Sequence, residues 1–242
     1  MIRTEHRGAV AVVTLDRPER RNAVNHDALS ALRAAVDEAV DAGTRVLVLT
    51  GADGHFCAGA DLSDVEDEGF VASLHELLVA LRRAPFPTMA SVEGFALGAG
   101  TQLAAACDLR VASATAGFGI PAAKLGLMVD QWTVRTVVDL VGQSVAREML
   151  LSADVMTGER AWAVGLVHRL GALDDALGWA ERISRLAPLT LQGFKIGLDE
   201  AAAADATSST YAAAFERAWT SADFAEGLAA FGEKRTPTFE GR

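Results

Sequence analysis

The sequence predicts an α/β fold, and three observations carry that reading. Short β-branched runs alternate with segments whose apolar residues recur every three to four positions through the first half of the chain. Glycines and prolines mark nearly every junction between them. From Pro121 onward the pattern is almost wholly helical, so strand–strand–helix units give way to a helical half.

The elements follow in order. Ile2 to His6, the Arg7-Gly8 turn and Ala9 to Leu15 read as a β-hairpin, broken by Asp16-Arg17-Pro18. Asn25 or Asp27 caps the next helix, in which Leu29, Leu32, Val36 and Val40 form one face and Gly43 the end. Arg45 to Thr50 is a buried strand, followed by a loop from Gly51 to Ser63. Val71, Leu74, Leu78 and Leu81 mark an amphipathic helix that Pro85 and Pro87 stop. Thr88 to Val92 reads as a strand, Gly94 as a turn into a helix near Gly98, and Leu109 to Ala112 as a further strand. Val134, Val137, Val138 and Val141 define one helix face and Gly142 ends that helix. Ala146, Met149 and Leu150 belong to the next helix, and Leu166 to Leu170 is a short strand. Alanine-rich helices run on to about Gly232.

The chain has 242 residues, half of them apolar and 22% charged, enough for a sizeable core in one large or two small domains. A net charge of -10 argues against nucleic acid as a partner. It leaves room for a small polyanion at the basic pairs Arg20-Arg21 and Lys234-Arg235. No uncharged stretch approaches the ~18–20 apolar residues of a membrane span. The start shows no secretory pattern, and the only thiols are Cys57 and Cys107, so a cytoplasmic protein is expected. Neither cysteine has CxxC spacing or a histidine cluster, so no metal or prosthetic group is expected.

Chemistry concentrates in two segments, His55 to Leu62 and Gly94 to Gln102. Each presents small residues where a backbone N–H meets a ligand oxygen without obstruction. Gly98-Ala99-Gly100 opens a helix, whose first N–H groups lack internal partners and sit at the positive end of the dipole. Ala99 and a residue of Ala58-Gly59-Ala60 therefore form the two halves of an oxyanion hole, which stabilises charge on a thioester carbonyl. Small residues at a helix start equally permit close packing. A dinucleotide loop fails for want of a third glycine in register and a later acidic residue.

The ordered set of motifs is more specific than any one. Arg17-Pro18-Glu19-Arg20-Arg21-Asn22-Ala23, Phe56-Cys57-Ala58-Gly59-Ala60-Asp61-Leu62, Val92 to Gly100, Cys107-Asp108-Leu109-Arg110, Leu125-Gly126-Leu127 and Glu233-Lys234-Arg235 with Pro237 and Phe239 resemble the crotonase, or enoyl-CoA hydratase/isomerase, superfamily. The resemblance implies a crotonase-like spiral of ββα units over 1–190 and a C-terminal helical trimerisation region over 191–242. It implies a homotrimer or a dimer of trimers, and acyl-CoA as ligand or substrate. Ala60 and Ala99 would hold the thioester oxygen. Arg20, Arg21, Ala23, Ala58, Asp61 and Leu62 would line the CoA, with Lys234 and Trp219 or Phe231 reaching it from the C-terminal region. Trp132 would narrow the acyl pocket.

The chain departs from the family at the two glutamates of a hydratase, which align with Gln102 and Ala122. Glutamine holds water but accepts no proton at neutral pH, and alanine does neither. Acid–base groups contribute ~10²–10⁴-fold each, so efficient hydration is not expected. Asp130 follows the Leu125-Gly126-Leu127 motif, where some relatives place a catalytic aspartate. It reads equally as a base or nucleophile and as the N-cap of the following helix. His75 lies on the border of an apolar helix face and reads first as a packed residue, as do Cys57 and Glu93. Three functions follow: a lipid-metabolism protein that binds fatty acyl-CoA with weak or no hydratase activity and serves other lipid enzymes, an isomerase or hydratase-like lyase that uses Asp130, and a structural subunit without ligand.

Overall fold

The computed structural model describes residues 1–61, 68–202, 216 and 219–238. Leu62, Phe239 and part of the alanine-rich stretch after Ala202 lie outside them. Strands β1 (Ile2–Arg7) and β2 (Val10–Leu15) form the expected antiparallel hairpin, with Ile2 opposite Leu15. Helix α1 (His26–Asp41) is capped by Asn25, whose Oδ1 accepts from the N–H of Ala28 at 3.0 Å; Asp27 lies inside the first turn. Then come β3 (Val46–Gly51), α2 (Glu68–Arg83), β4 (Thr88–Val92), β5 (Phe95–Leu97), α3 (Ala99–Ala106), β6 (Leu109–Ala112) and β7 (Gly117–Gly119). A 3-10 turn at Pro121–Leu125 leads to α4 (Gln131–Ser152), β8 (Met156–Thr157), α5 (Gly158–Ala163), β9 (Arg169–Leu170), α6 (Leu173–Ile183), α7 (Pro188–Ala202) and α8 (Ala222–Glu233).

The main sheet has the order β1-β2-β3-β4-β6-β9, parallel except for the hairpin. Parallel strands are covered on both faces, and β3 and β4 are buried along almost their whole length, Thr50, Thr88 and Ser91 included. Ala11, Val13, Leu47 and Leu49 pack toward the larger core with α1, α2 and α3. Val10, Val12, Val46 and Val48 point the other way, where Ala176, Leu177, Ala180 and Ile183 of α6 cover them.

A second, smaller sheet runs β5-β7-β8. Two single bridges, Cys57 with Ala96 and Val24 with Ala60, extend it. Each main strand from β3 to β6 is thus followed by a short extended segment on this second layer, and after β3 and β4 the chain returns through a helix. This is the ββα spiral. Neither β5 nor β7 follows from local pattern, since they are three residues each and glycine sits in or beside them. The expected strand over Leu166 to Leu170 shrinks to Arg169–Leu170. Gly142 ends one helical run as expected, with backbone angles of φ 73 and ψ 165, but the helix resumes directly after it. Among the described residues, no helix is long and apolar enough to cross a membrane.

Candidate active site

A cavity of about 560 Å³ lies between α2, the start of α3, the Pro121–Leu125 turn and α8. Phe70, Val71, Leu74 and Leu78 of α2 form one wall, Ile120, Leu127 and Val129 another, and Trp219 and Phe231 close the C-terminal side. Trp219 is held there by its Nε1, which donates to the carbonyl of Met128 at 3.1 Å.

Pairing geometry aims two backbone amides into this space. The N–H of Val24 donates to Gly59 O at 2.9 Å and that of Asp61 to Val24 O at 2.8 Å. In a parallel ladder this turns the N–H of Ala60, the residue between them, away from Val24. Next to it, Cys57 N–H donates to Phe95 O at 2.9 Å and Leu97 N–H to Cys57 O at 3.0 Å. A Cβ on Gly98 would lie 3.9 Å from Gly59 Cα, so the residues just before Ala60 and Ala99 run side by side. Ala99 is the first residue of α3, so its amide has no intrahelical acceptor. Among the described residues neither amide has a hydrogen-bond partner, and both alanines line the cavity.

Two glycines make this approach possible. Gly98 adopts φ 52 and ψ -115, a region that side chains resist. A Cβ at Gly100 would collide with the carbonyl oxygen of Cys57. The far end of α3 is fixed by Arg110, which is 1% exposed. Its guanidinium donates to the carbonyls of Ala104 at 3.2 Å, Cys107 at 2.5 Å and Leu166 at 2.6 Å. A cation on helix-terminal carbonyls opposes their partial charge. Burial nevertheless lowers its pKa to about 10.

Gln102 is buried, and its Oε1 accepts from the hydroxyl of Thr133 at 2.9 Å. That leaves the amide nitrogen, a donor, as the polar group of this side chain not engaged by Thr133. Ala122 lines the cavity on the 3-10 turn. Asp130 caps α4 through Oδ1, which accepts from Thr133 N–H at 2.9 Å. Its Oδ2 lies 2.8 Å from His75 Nδ1, and both side chains reach the cavity.

Of the other expected site residues, Arg20, Ala23, Ala58 and Asp61 line the cavity. Asp61 is also the ion-pair partner of Arg17 at 3.1 Å, and Arg17 in turn donates to the carbonyl of Ala23 at 2.7 Å. Arg21 is not in the lining; its carbonyl accepts from Ala58 N–H at 3.0 Å. Trp132 is not in the lining either, and packs edge-on against His75 with the Arg82 guanidinium over its ring. Lys234 is exposed at the end of α8, one turn beyond Phe231, and is not in the lining. Leu62 lies outside the described residues. Lys124, an exposed cation in the lining, was missed by motif reading. Cys57 is fully buried, and burial pushes its thiol up to about 12, which disfavours the thiolate at neutral pH.

Comparison with known proteins agrees with this architecture. The enoyl-CoA hydratase/isomerase family pattern matches residues 5–242. A probable enoyl-CoA hydratase of Mycobacterium tuberculosis is 43% identical over 237 residues, 96% of each chain. The 2,3-dehydroadipyl-CoA hydratase of Escherichia coli is 36% identical over 244 residues, again 96% of each. Among solved structures, methylmalonyl-CoA decarboxylase in complex with 2-nitronate-propionyl-CoA superposes with a TM-score of 0.93 at 24% identity, covering 100% of this chain and 98% of that one. The fold is therefore that of the crotonases, and by sequence the chain belongs to the enoyl-CoA hydratase/isomerase family.

Proposed function

We propose that this protein binds fatty acyl-CoA thioesters, holding the thioester carbonyl on the amides of Ala60 and Ala99, and hydrates enoyl-CoA weakly or not at all. One observation carries the reading. The two amides, without a hydrogen-bond partner among the described residues, belong to alanines that line an apolar cavity whose hydratase positions hold Gln102, with its oxygen engaged by Thr133, and Ala122. A structural subunit that had lost its ligand would have no need of either feature. Arg20 and Lys124 in the lining, with Arg21 and Lys234 outside it, supply cations for the CoA phosphates. Residues 191–242 form the trimerisation region beside the 1–190 core. The exposure of Leu189, Phe194 and Leu198 on α7, at 80%, 66% and 69%, supports a partner on that face. The setting is cytoplasmic lipid metabolism, with acyl-CoA delivered to other lipid enzymes, and the chemistry needs no metal.

Thermal shift across an acyl-CoA chain-length series tests binding, since ligand at 100 times Kd should stabilise by ~2.7 kcal/mol. Stabilisation without hydration of a 2-enoyl-CoA is the expected result. No stabilisation at any chain length would overturn the binding reading, and efficient hydration would overturn the inactive one. The second reading, an isomerase or lyase, is favoured by Asp130, whose carboxylate reaches the cavity beside His75.

A further inference from the structure

Residues 55 apart in sequence meet at the cavity wall, His75 from α2 and Asp130 from the start of α4. The two oxygens of Asp130 are both engaged, Oδ1 by the Thr133 amide and Oδ2 by His75 Nδ1 at 2.8 Å. A carboxylate only accepts, so in the neutral imidazole Nδ1 carries the proton and Nε2 the lone pair. Among the described residues the imidazole makes no other hydrogen bond. The ring is braced edge-on by Trp132, 6.0 Å between centroids and 86° between planes. The Arg82 guanidinium lies 5.9 Å from the Trp132 ring centroid and is itself paired with Asp199 at 2.8 Å. An oriented imidazole thus shares the cavity with the Ala60 and Ala99 amides.

From this geometry, and resting on the acyl-CoA reading above, we propose that His75 is the proton acceptor for the bound acyl group and Asp130 its positioning residue. The C2–H bond of the acyl chain breaks and an Nε2–H bond forms. The electron pair moves onto the thioester oxygen, as an enolate held by the two amides. The proton then returns to C2, or, where the substrate has a C3=C4 double bond, to C4, leaving the double bond between C2 and C3. Atoms balance, nothing is oxidised or reduced, and no further reagent enters. Asp130 itself, with both oxygens occupied, acts through the imidazole and not on the substrate.

The test is solvent deuterium exchange at C2 of octanoyl-CoA by proton NMR, with double-bond migration in 3-octenoyl-CoA, alongside calorimetric affinity for octanoyl-CoA. Asp130→Asn separates capping from positioning. Asparagine still caps α4 through Oδ1, but its amide donates to Nδ1 and forces the proton onto Nε2. Exchange should fall by ~10²–10⁴ with affinity retained. His75→Ala should fall as far, with partial recovery in added imidazole. Binding by the wild type without exchange above the uncatalysed background would overturn the proposal alone, as would exchange indifferent to both substitutions. Absence of binding would overturn the acyl-CoA reading and this proposal with it.

Discussion

Placing glutamates at 102 and 122 should turn this protein toward a hydratase, and the structure sets the scale of the gain. Glutamate is isosteric with Gln102, and the Thr133 hydroxyl that now donates to Oε1 at 2.9 Å can donate equally to a carboxylate. Ala122 borders a cavity of about 560 Å³, so a longer side chain has space without displacing the core. Each acid–base group is worth ~10²–10⁴-fold, so the pair offers ~10⁴–10⁸, or ~5–11 kcal/mol of barrier. Neither was selected in this scaffold, so the lower end of that range is expected. Gln102→Glu alone should gain far less, because one group that positions water still lacks the other that completes proton transfer. The site is only 8% exposed, so burial disfavours the ionised carboxylate, and the variant should melt lower than wild type. The assay is loss of enoyl-thioester absorbance for Gln102→Glu, Ala122→Glu and the double variant, with acyl-CoA affinity measured on each. A double variant that binds normally yet gains less than tenfold would refute the reasoning, as would a wild type that already hydrates at the rate expected of the variant.

Three further outcomes follow from the packing around the site. Arg110→Met strands the carbonyls of Ala104, Cys107 and Leu166, and should cost at least ~2 kcal/mol in urea unfolding while weakening acyl-CoA binding through α3. His168 is an exposed residue whose Nδ1 accepts from the Arg110 backbone N–H at 3.1 Å, and desolvation on that side, then the Arg110 and Arg169 charges, lower its pKa to about 4. The unfolded chain binds a proton below its ordinary 6.5 that the folded state refuses until about 4. Stability should be at its full value above pH 6.5 and decline as the pH falls toward 4, a decline that His168→Asn should flatten in urea midpoints. Cys57 and Cys107 are both buried with thiols pushed up to about 12, so Ellman's reagent should find no reactive thiol in native protein and two in urea.

Legibility tracked the range of the interactions. The strands β2, β3, β4 and β6 were readable because burial on both faces favours short runs rich in apolar and β-branched residues. The Asn25 cap and the Gly98-Ala99-Gly100 helix start were readable because capping and close backbone approach restrict residue type locally. The second sheet was not, because Gly117-Phe118-Gly119 has no β-forming pattern of its own and is held by pairing with Phe95–Leu97. The same holds for side chains that meet across long separations. Arg17 with Asp61 and His75 with Asp130 are pairs that no local spacing announces. The second changes the reading of both partners, turning an apparent packing histidine into one with an oriented ring. Trp132 belongs with them. Its size suggested a pocket wall, and its position makes it a brace behind His75.

The proposed hold of Ala60 and Ala99 on a thioester carbonyl is tested most directly at the carbonyl itself. Infrared difference spectra of octanoyl-CoA labelled with carbon-13 at C1 isolate that stretch in the bound complex. Two amide donors polarise the C=O bond, so its frequency should drop below that of the same thioester in buffer. A bound ligand whose carbonyl absorbs at or above the buffer frequency would contradict the account.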